Sequence, residues 1–166
     1  MTSRYLATCA LLILAGCGQE TATDTNAASD AVACPQANAD GVVEIAPGLT
    51  ATITRKGYGR AAVAGDYADV HTTLWLYDEN AEGGRGTEIW ASGGQQPFQF
   101  QLDAGQVIEG WDLGVACMLI GETRELKIAP ELGYGARGKP PVPPNATLLF
   151  EIELVRLENS SGADSE

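Results

Sequence analysis

The amino-acid sequence predicts an α+β fold of antiparallel strands with one short helix. Three observations carry that reading. Several segments alternate apolar and polar side chains with the period of two expected of a strand. Those strands keep one wet face, as antiparallel strands do when only one side packs on a core. A single stretch, residues 107–118, instead spaces Ile108, Trp111 and Val115 as a helix does.

Taken in order, residues 49–54 alternate as a strand and run into the turn Lys56-Gly57-Tyr58-Gly59. In residues 67–77, Val70, Thr72, Leu74 and Leu76 share one face and His71, Thr73, Trp75 and Tyr77 the other. Residues 78–87, DENAEGGRGT, are a loop on composition. After Pro97, Phe98, Phe100 and Leu102 alternate. The helix follows, and Gly110 and Gly114 argue that it is short, because glycine is a poor helix former. Arg124, Leu126 and Ile128 then oppose Thr123, Glu125 and Lys127, and the final strand sets Leu148, Phe150, Ile152 and Leu154 against Leu149, Glu151, Glu153 and Val155.

A chain of 166 residues, 45% of them hydrophobic, suits one domain plus tails. The net charge of −12 is spread along the chain rather than massed in one block, which argues against a nucleic-acid partner. At the N-terminus, Arg4 precedes the apolar residues 6–14, too few to span a bilayer, and Leu14-Ala15-Gly16-Cys17 ends the stretch on small residues before a cysteine. This is similar to a bacterial lipobox. The resemblance implies cleavage before Cys17 and lipidation of that residue, with more than one acyl chain giving stable anchoring. Gly18, in place of an aspartate, resembles lipoproteins sent on to a Gram-negative outer membrane.

The expected organisation is therefore a lipoprotein signal peptide over 1–16, a flexible tether over 17–40, a folded domain over 41–158 and a disordered tail over 159–166. With Cys9 removed and Cys17 lipidated, Cys34 and Cys117 are the two thiols left for an oxidising compartment. A bridge and two free thiols both remain open at this point, because the sequence gives no separation of their α carbons.

From Gly105 to Leu154 the chain reads GQVIEGWDLGVACMLIGETRELKIAPELGYGARGKPPVPPNATLLFEIEL. Val107, Ile108, Trp111, Tyr134, Val142 and Phe150 gather there around turns rather than along one long element, as expected where several elements line one apolar pocket. Neither a nucleophile nor a metal-ligand cluster accompanies them, so no cofactor and no metal are expected. Tyr134 lies between two glycines, where a presented hydroxyl is favoured over a packed ring. His71, the sole histidine, lacks an orienting partner motif and reads as a sheet-face residue; Glu109 and Asp112 read as a solvated face near the helix N-terminus.

The order and spacing of GQVIEGWDLGV, ELGYG and PPNATLLFEIEL, with Val70-His71-Thr72 and Pro97-Phe98-Gln99-Phe100 upstream, closely resemble the FKBP-type peptidyl-prolyl cis-trans isomerases over about residues 57–158. The resemblance implies a twisted antiparallel half-barrel wrapped around the helix, with a prolyl pocket between helix and sheet. It places Trp111 at the pocket floor and Phe98, Val107, Ile108, Tyr134 and Phe150 in its walls. The Ile108 N–H and the Tyr134 hydroxyl would hold carbonyls of a bound peptide. Tyr134, Ile108, Trp111 and Phe150 are thus the expected catalytic set, and Phe98, Val107, Ile89, Trp90, Thr72 and Val142 the expected substrate-binding set.

The implied activity is isomerisation of X-Pro bonds in folding envelope proteins, without a cofactor. Its partners would be proline-containing unfolded or nascent envelope proteins and, through the lipid on Cys17, the membrane; a monomer is expected. Thr72, Ile89 and Trp90 depart from the family pattern, which has tyrosine, phenylalanine and aspartate there. The loop 139–144 is one residue shorter than common, and residues 77–88 are longer. These departures motivate an alternative, an FKBP-fold chaperone or binding module with little or no isomerase activity. A third reading is an adhesin or assembly factor using exposed Trp75, Tyr77 and Trp90.

Overall fold

The computed structural model describes Cys34, Pro35, Ala37, Asn38 and residues 41–159. The expected signal peptide, Cys17, and most of the expected tether and tail lie outside the described residues. Nine strands and one α-helix are described: β1 (Val42–Ala46), β2 (Leu49–Arg55), β3 (Tyr58–Ala61), β4 (Tyr67–Tyr77), β5 (Arg85–Ala91), β6 (Phe98–Gln101), α1 (Glu109–Val115), β7 (Leu119–Ile120), β8 (Thr123–Ile128) and β9 (Leu148–Glu158). The main sheet is antiparallel in the order β1-β2-β8-β9-β4-β5, with β6 also beside β4, and β3 pairs β7 separately.

The alternation read from the sequence sets which side chains go inside. On β8, Arg124, Leu126 and Ile128 are buried; on β9, Leu148, Phe150, Ile152 and Leu154 are buried, with Leu126 opposite Phe150. The same face of β4 contributes Val70, Thr72 and Leu74. Against this face lies α1, which is shorter than the spacing of residues 107–118 suggests.

Gly110 and Gly114 explain both the shortness and the seat. A Cβ on Gly110 would fall about 2.5 Å from Ile128 Cγ2, and one on Gly114 closer still to Leu126 Cδ1. Four residues apart, the two glycines form a bare strip on one helix face, against which the β8 side chains close. The helix gives up intrinsic propensity for close contact with the sheet.

The C-terminal end of α1 is held by a buried cation. Arg124 donates to the carbonyls of Gly114 (3.1 Å), Ala116 (3.3 Å) and Cys117 (3.1 Å) and is paired with Glu122, whose other carboxylate oxygen accepts the Leu119 N–H at 3.0 Å. Helix ends leave carbonyls without intrahelical partners, and here one guanidinium serves them. Both side chains are under a tenth exposed, so neither charge has water as an alternative partner.

Two expectations need correction. The loop expected over 78–87 ends early, in a short 3-10 turn at Glu82–Gly84, and Arg85 already belongs to β5 opposite Tyr77. Its guanidinium pairs with Glu125 and Glu151 and lies 4.8 Å from the Trp75 ring centroid, so polar residues form this strand end through charge contacts across the sheet. For the same reason Trp75 and Tyr77 are not a bare aromatic patch: both are half-buried, and Lys127 Nζ sits 3.7 Å from the Tyr77 ring centroid. Beyond the main sheet, Cys34 is bonded to Cys117 with α carbons 5.6 Å apart, and Asn38 exchanges hydrogen bonds with Val42.

Replacing Arg124 with Met leaves Glu122 buried without its cation and three carbonyls without their donor. The expected loss is about 3–5 kcal/mol of unfolding free energy, measured by chemical denaturation.

Candidate active site

Helix and sheet do not meet along the whole length of α1. At its N-terminal end they part around a cleft of about 640 Å³. Trp111 forms the floor. It is 7% exposed, and its ring packs edge-on against Phe150 (centroids 5.1 Å apart, planes at 80°), tilted against Phe100 at 5.6 Å and edge-on to Phe98 at 6.1 Å. Such edge contacts fix the ring while leaving one face open to the cleft. The Trp111 indole N–H is buried with no hydrogen-bond partner among the described residues.

The walls come from several elements. Val107 and Ile108 enter from the turn before α1, and Ile108 is its N-cap residue, with extended backbone (φ −65°, ψ 147°); its carbonyl accepts the Trp111 N–H at 2.8 Å, while its own N–H precedes the helix. Tyr134 arrives on the loop after β8, Val142 on the proline-rich loop, Phe98 at the start of β6, and Ile89 and Trp90 on β5. Phe98 and Trp90 are 46% and 47% exposed, so the mouth is aromatic and open while the floor is dry.

That Ile89 and Trp90, adjacent in sequence, both line the cleft breaks strict alternation. The ladder shows why: Leu74 faces Trp90 but Trp75 faces Glu88, so Ile89 is an extra residue in a bulge. A bulge re-aims a side chain that alternation would send to the other face.

Thr72 is the one expected binding residue that the cleft lining does not include. Strand β4 changes neighbours there: residues 67–70 pair with β6 and residues 73–77 with β5. Ser92 closes the gap, its N–H donating to the Thr72 carbonyl at 2.8 Å and its Oγ accepting the Thr72 N–H at 3.0 Å. Thr72 is thereby packed at the hand-over, 4% exposed, with its Oγ1 buried and without a partner among the described residues. Leu74, two residues on and opposite both Phe150 and Trp90, takes the place on the wall.

Leu74, Gln106, Lys139, Pro140 and Pro141 also line the cleft and were not singled out from the sequence. The signal for Leu74 was present, since it shares its face with Thr72; choosing between them required knowing where β4 changes neighbours.

Tyr134 is the titratable group of interest. Burial pushes its phenol above the ordinary value of 10.0, so the neutral, hydrogen-donating form persists in alkaline solution. His71 contacts Ser92 Oγ through Nδ1 at 3.3 Å and lies at a separate, polar depression rather than at the aromatic cleft. Asp112 accepts the Asp103 N–H at 3.0 Å. Among the described residues no group of three or more His, Cys, Asp or Glu side chains is placed to hold a metal ion.

A dry aromatic floor, branched apolar walls and a phenol at the rim suit a protein that grips one compact apolar ring of a peptide and leaves its carbonyls near donors. Comparison with known proteins agrees. Residues 58–155 match the family described as FKBP-type peptidyl-prolyl cis-trans isomerase. FK506-binding protein 1 of Dictyostelium discoideum is 45% identical over 114 residues, 65% of this chain and 96% of the relative. Peptidyl-prolyl cis-trans isomerase FKBP2 of Mus musculus is 50% identical over 99 residues, 58% of this chain and 66% of that one. The crystal structure of FkpA from Escherichia coli superposes with a TM-score of 0.62 at 33% identity, covering 72% of this chain and 53% of that chain. The chain belongs to the FKBP-type peptidyl-prolyl cis-trans isomerase family, whose reaction is the cis-trans isomerisation of X-Pro peptide bonds.

Two outcomes follow for the wall and the rim. Thr72→Val removes a buried hydroxyl that has no partner, and is expected to leave isomerase activity intact and stability equal or higher by about 1 kcal/mol, whereas Leu74→Ala opens the wall and raises KM for a proline peptide. Because the Tyr134 phenol is held neutral, kcat/KM followed by NMR exchange is expected to stay level from neutral pH to the ordinary tyrosine value of 10.0 and to fall only above it.

Proposed function

We propose that this chain is a lipid-anchored isomerase of the bacterial envelope, acting on X-Pro bonds of folding proteins by stabilising the twisted amide without covalent chemistry. The observation that carries the catalytic part is the seating of Trp111, buried beneath an open cleft and braced edge-on by Phe150 and Phe100. Rotating an amide costs about 18–20 kcal/mol because resonance is lost in the twisted state, and X-Pro bonds left alone take tens of seconds or more to interconvert. The twisted amide separates less charge than the planar one. A dry aromatic cradle around the ring favours it, and donors placed for the twisted geometry hold it in preference to the ground state.

The Ile108 N–H and the Tyr134 hydroxyl are the donors in this reading. Both stand at the cleft wall, and neither is engaged by the helix that follows Ile108. Phe98 and Trp90 extend the grip to the residues flanking the proline.

The envelope part rests on Leu14-Ala15-Gly16-Cys17 at the N-terminus and on the Cys34–Cys117 bridge. A disulfide closing an 83-residue separation suits an oxidising compartment and constrains the unfolded chain strongly. Clients there are extended, proline-containing chains on the way to their folded state.

Trp111→Ala is expected to lower kcat/KM on a proline tetrapeptide at least tenfold with the fold retained by far-UV circular dichroism, and Tyr134→Phe to lower it severalfold. Rates equal to wild type in both variants would contradict the assignment of the cleft. Cys17→Ser in the full-length chain is expected to shift the protein from the membrane to the soluble fraction of a cell; unchanged partition would contradict the anchor.

A further inference from the structure

We propose that Lys139 makes the cleft selective for proline-containing segments that carry an acidic side chain next to the proline; the inference rests on the cleft being the prolyl site. Of the described side chains lining the cleft, Lys139 alone carries a charge, and no carboxylate is among them. In a chain of net charge −12, such a surface stands apart from its surroundings. Every ion pair among the described residues uses an arginine, so the Lys139 ammonium has no carboxylate partner there.

Lys139 is an exposed residue on a held backbone. Its backbone is closed in a tight loop, the Lys139 N–H donating to the Val142 carbonyl at 3.0 Å and the Val142 N–H to the Lys139 carbonyl at 2.7 Å, with Pro140 and Pro141 between them. Val142 is buried at the cleft wall, which ties the loop to the site. Lys139 Nζ lies 5.7 Å from the centroid of the Tyr134 ring, within the range of a cation–π contact. The charge thus stands within one side chain's reach of the phenol assigned to a peptide carbonyl. A carboxylate one residue from the proline would meet an unpaired cation and gain the attraction of opposite charges, whereas an amide of the same shape would gain only an ion–dipole hydrogen bond.

The long-range field of the protein works the other way. A net negative surface repels an acidic peptide at a distance, and that repulsion changes by only one charge in Lys139→Met and two in Lys139→Glu. The local contribution of Lys139 is therefore read as a ratio of ratios.

The experiment compares kcat/KM, by NMR exchange without a coupling protease, for tetrapeptides bearing Glu or Gln immediately before or immediately after the proline, with wild-type protein, Lys139→Met and Lys139→Glu. The expected Glu-to-Gln ratio for at least one of the two positions falls about threefold from wild type to Lys139→Met, as for one partly exposed ion pair, and falls further in Lys139→Glu. The difference is expected to shrink at 1 M salt, where screening reaches about 3 Å. Ratios unchanged among the three proteins, with both peptides accelerated, would overturn the role of Lys139 while leaving the prolyl site in place. Failure of the wild-type protein to accelerate any of the peptides would overturn the site and this inference together.

Discussion

The close seat of α1 on β8 is the constraint on which the rest of the structure depends. Gly110 and Gly114 leave the helix without side chains on the side where Ile128 and Leu126 press in, and Arg124 reaches past its end to hold three carbonyls. A helix of only seven residues has little stability of its own. Its orientation comes from these tertiary contacts, and with the orientation comes the placement of Trp111, one residue beyond Gly110. The floor of the cleft is in this sense a by-product of helix packing. The same buried Glu122–Arg124 pair that would weigh against a core if left incomplete is fully bonded here and makes one seat of the helix much better than any other.

The opposite wall is built by irregularities of the sheet. Where β4 exchanges β6 for β5, Ser92 supplies the hydrogen bonds that a continuous strand would have supplied, and this draws Thr72 into the packed layer. One step further on, the bulge at Ile89 turns two consecutive side chains of β5 toward the helix. Leu74, Ile89 and Trp90 then form an apolar wall. The three departures from the family pattern are consequently of two kinds. Thr72 is packed at the strand hand-over and does not line the cleft, while Ile89 and Trp90 do, Ile89 as one apolar group in place of another and Trp90 as an apolar group in place of an aspartate.

Much of the fold was legible because one face of the sheet is buried along most of its length. Alternation in residues 67–77, 123–128 and 148–155 was enough to predict strands with the right side inward, since a strand with one dry face must place apolar groups at every second position. Strands β1, β3 and β7 were not read: with five, four and two residues they are too short for alternation to show, and β3 is largely exposed. Arg85–Thr87 looked like loop because its stabilisation is ionic and cross-strand rather than apolar. In the site, the residues gathered by the GQVIEGW and YG segments were legible from their resemblance to the family. Period alone could not choose between Thr72 and Leu74, which have the same parity. The charge at Lys139 was likewise invisible until the loop closed onto Val142 and brought it to the rim.

These features together make a single physical statement: an apolar ring seated on Trp111, between helix and sheet, is what the molecule is organised to hold. A nitrogen-15 chemical-shift titration of the folded protein with a proline tetrapeptide tests it most directly. The account predicts that the largest perturbations fall on the Trp111 indole N–H and on the backbone N–H groups of Leu74, Ile108 and Tyr134, with His71, Thr72 and Ser92 much less affected. Perturbations centred instead on His71 and Ser92, with the Trp111 indole signal unmoved, would contradict it.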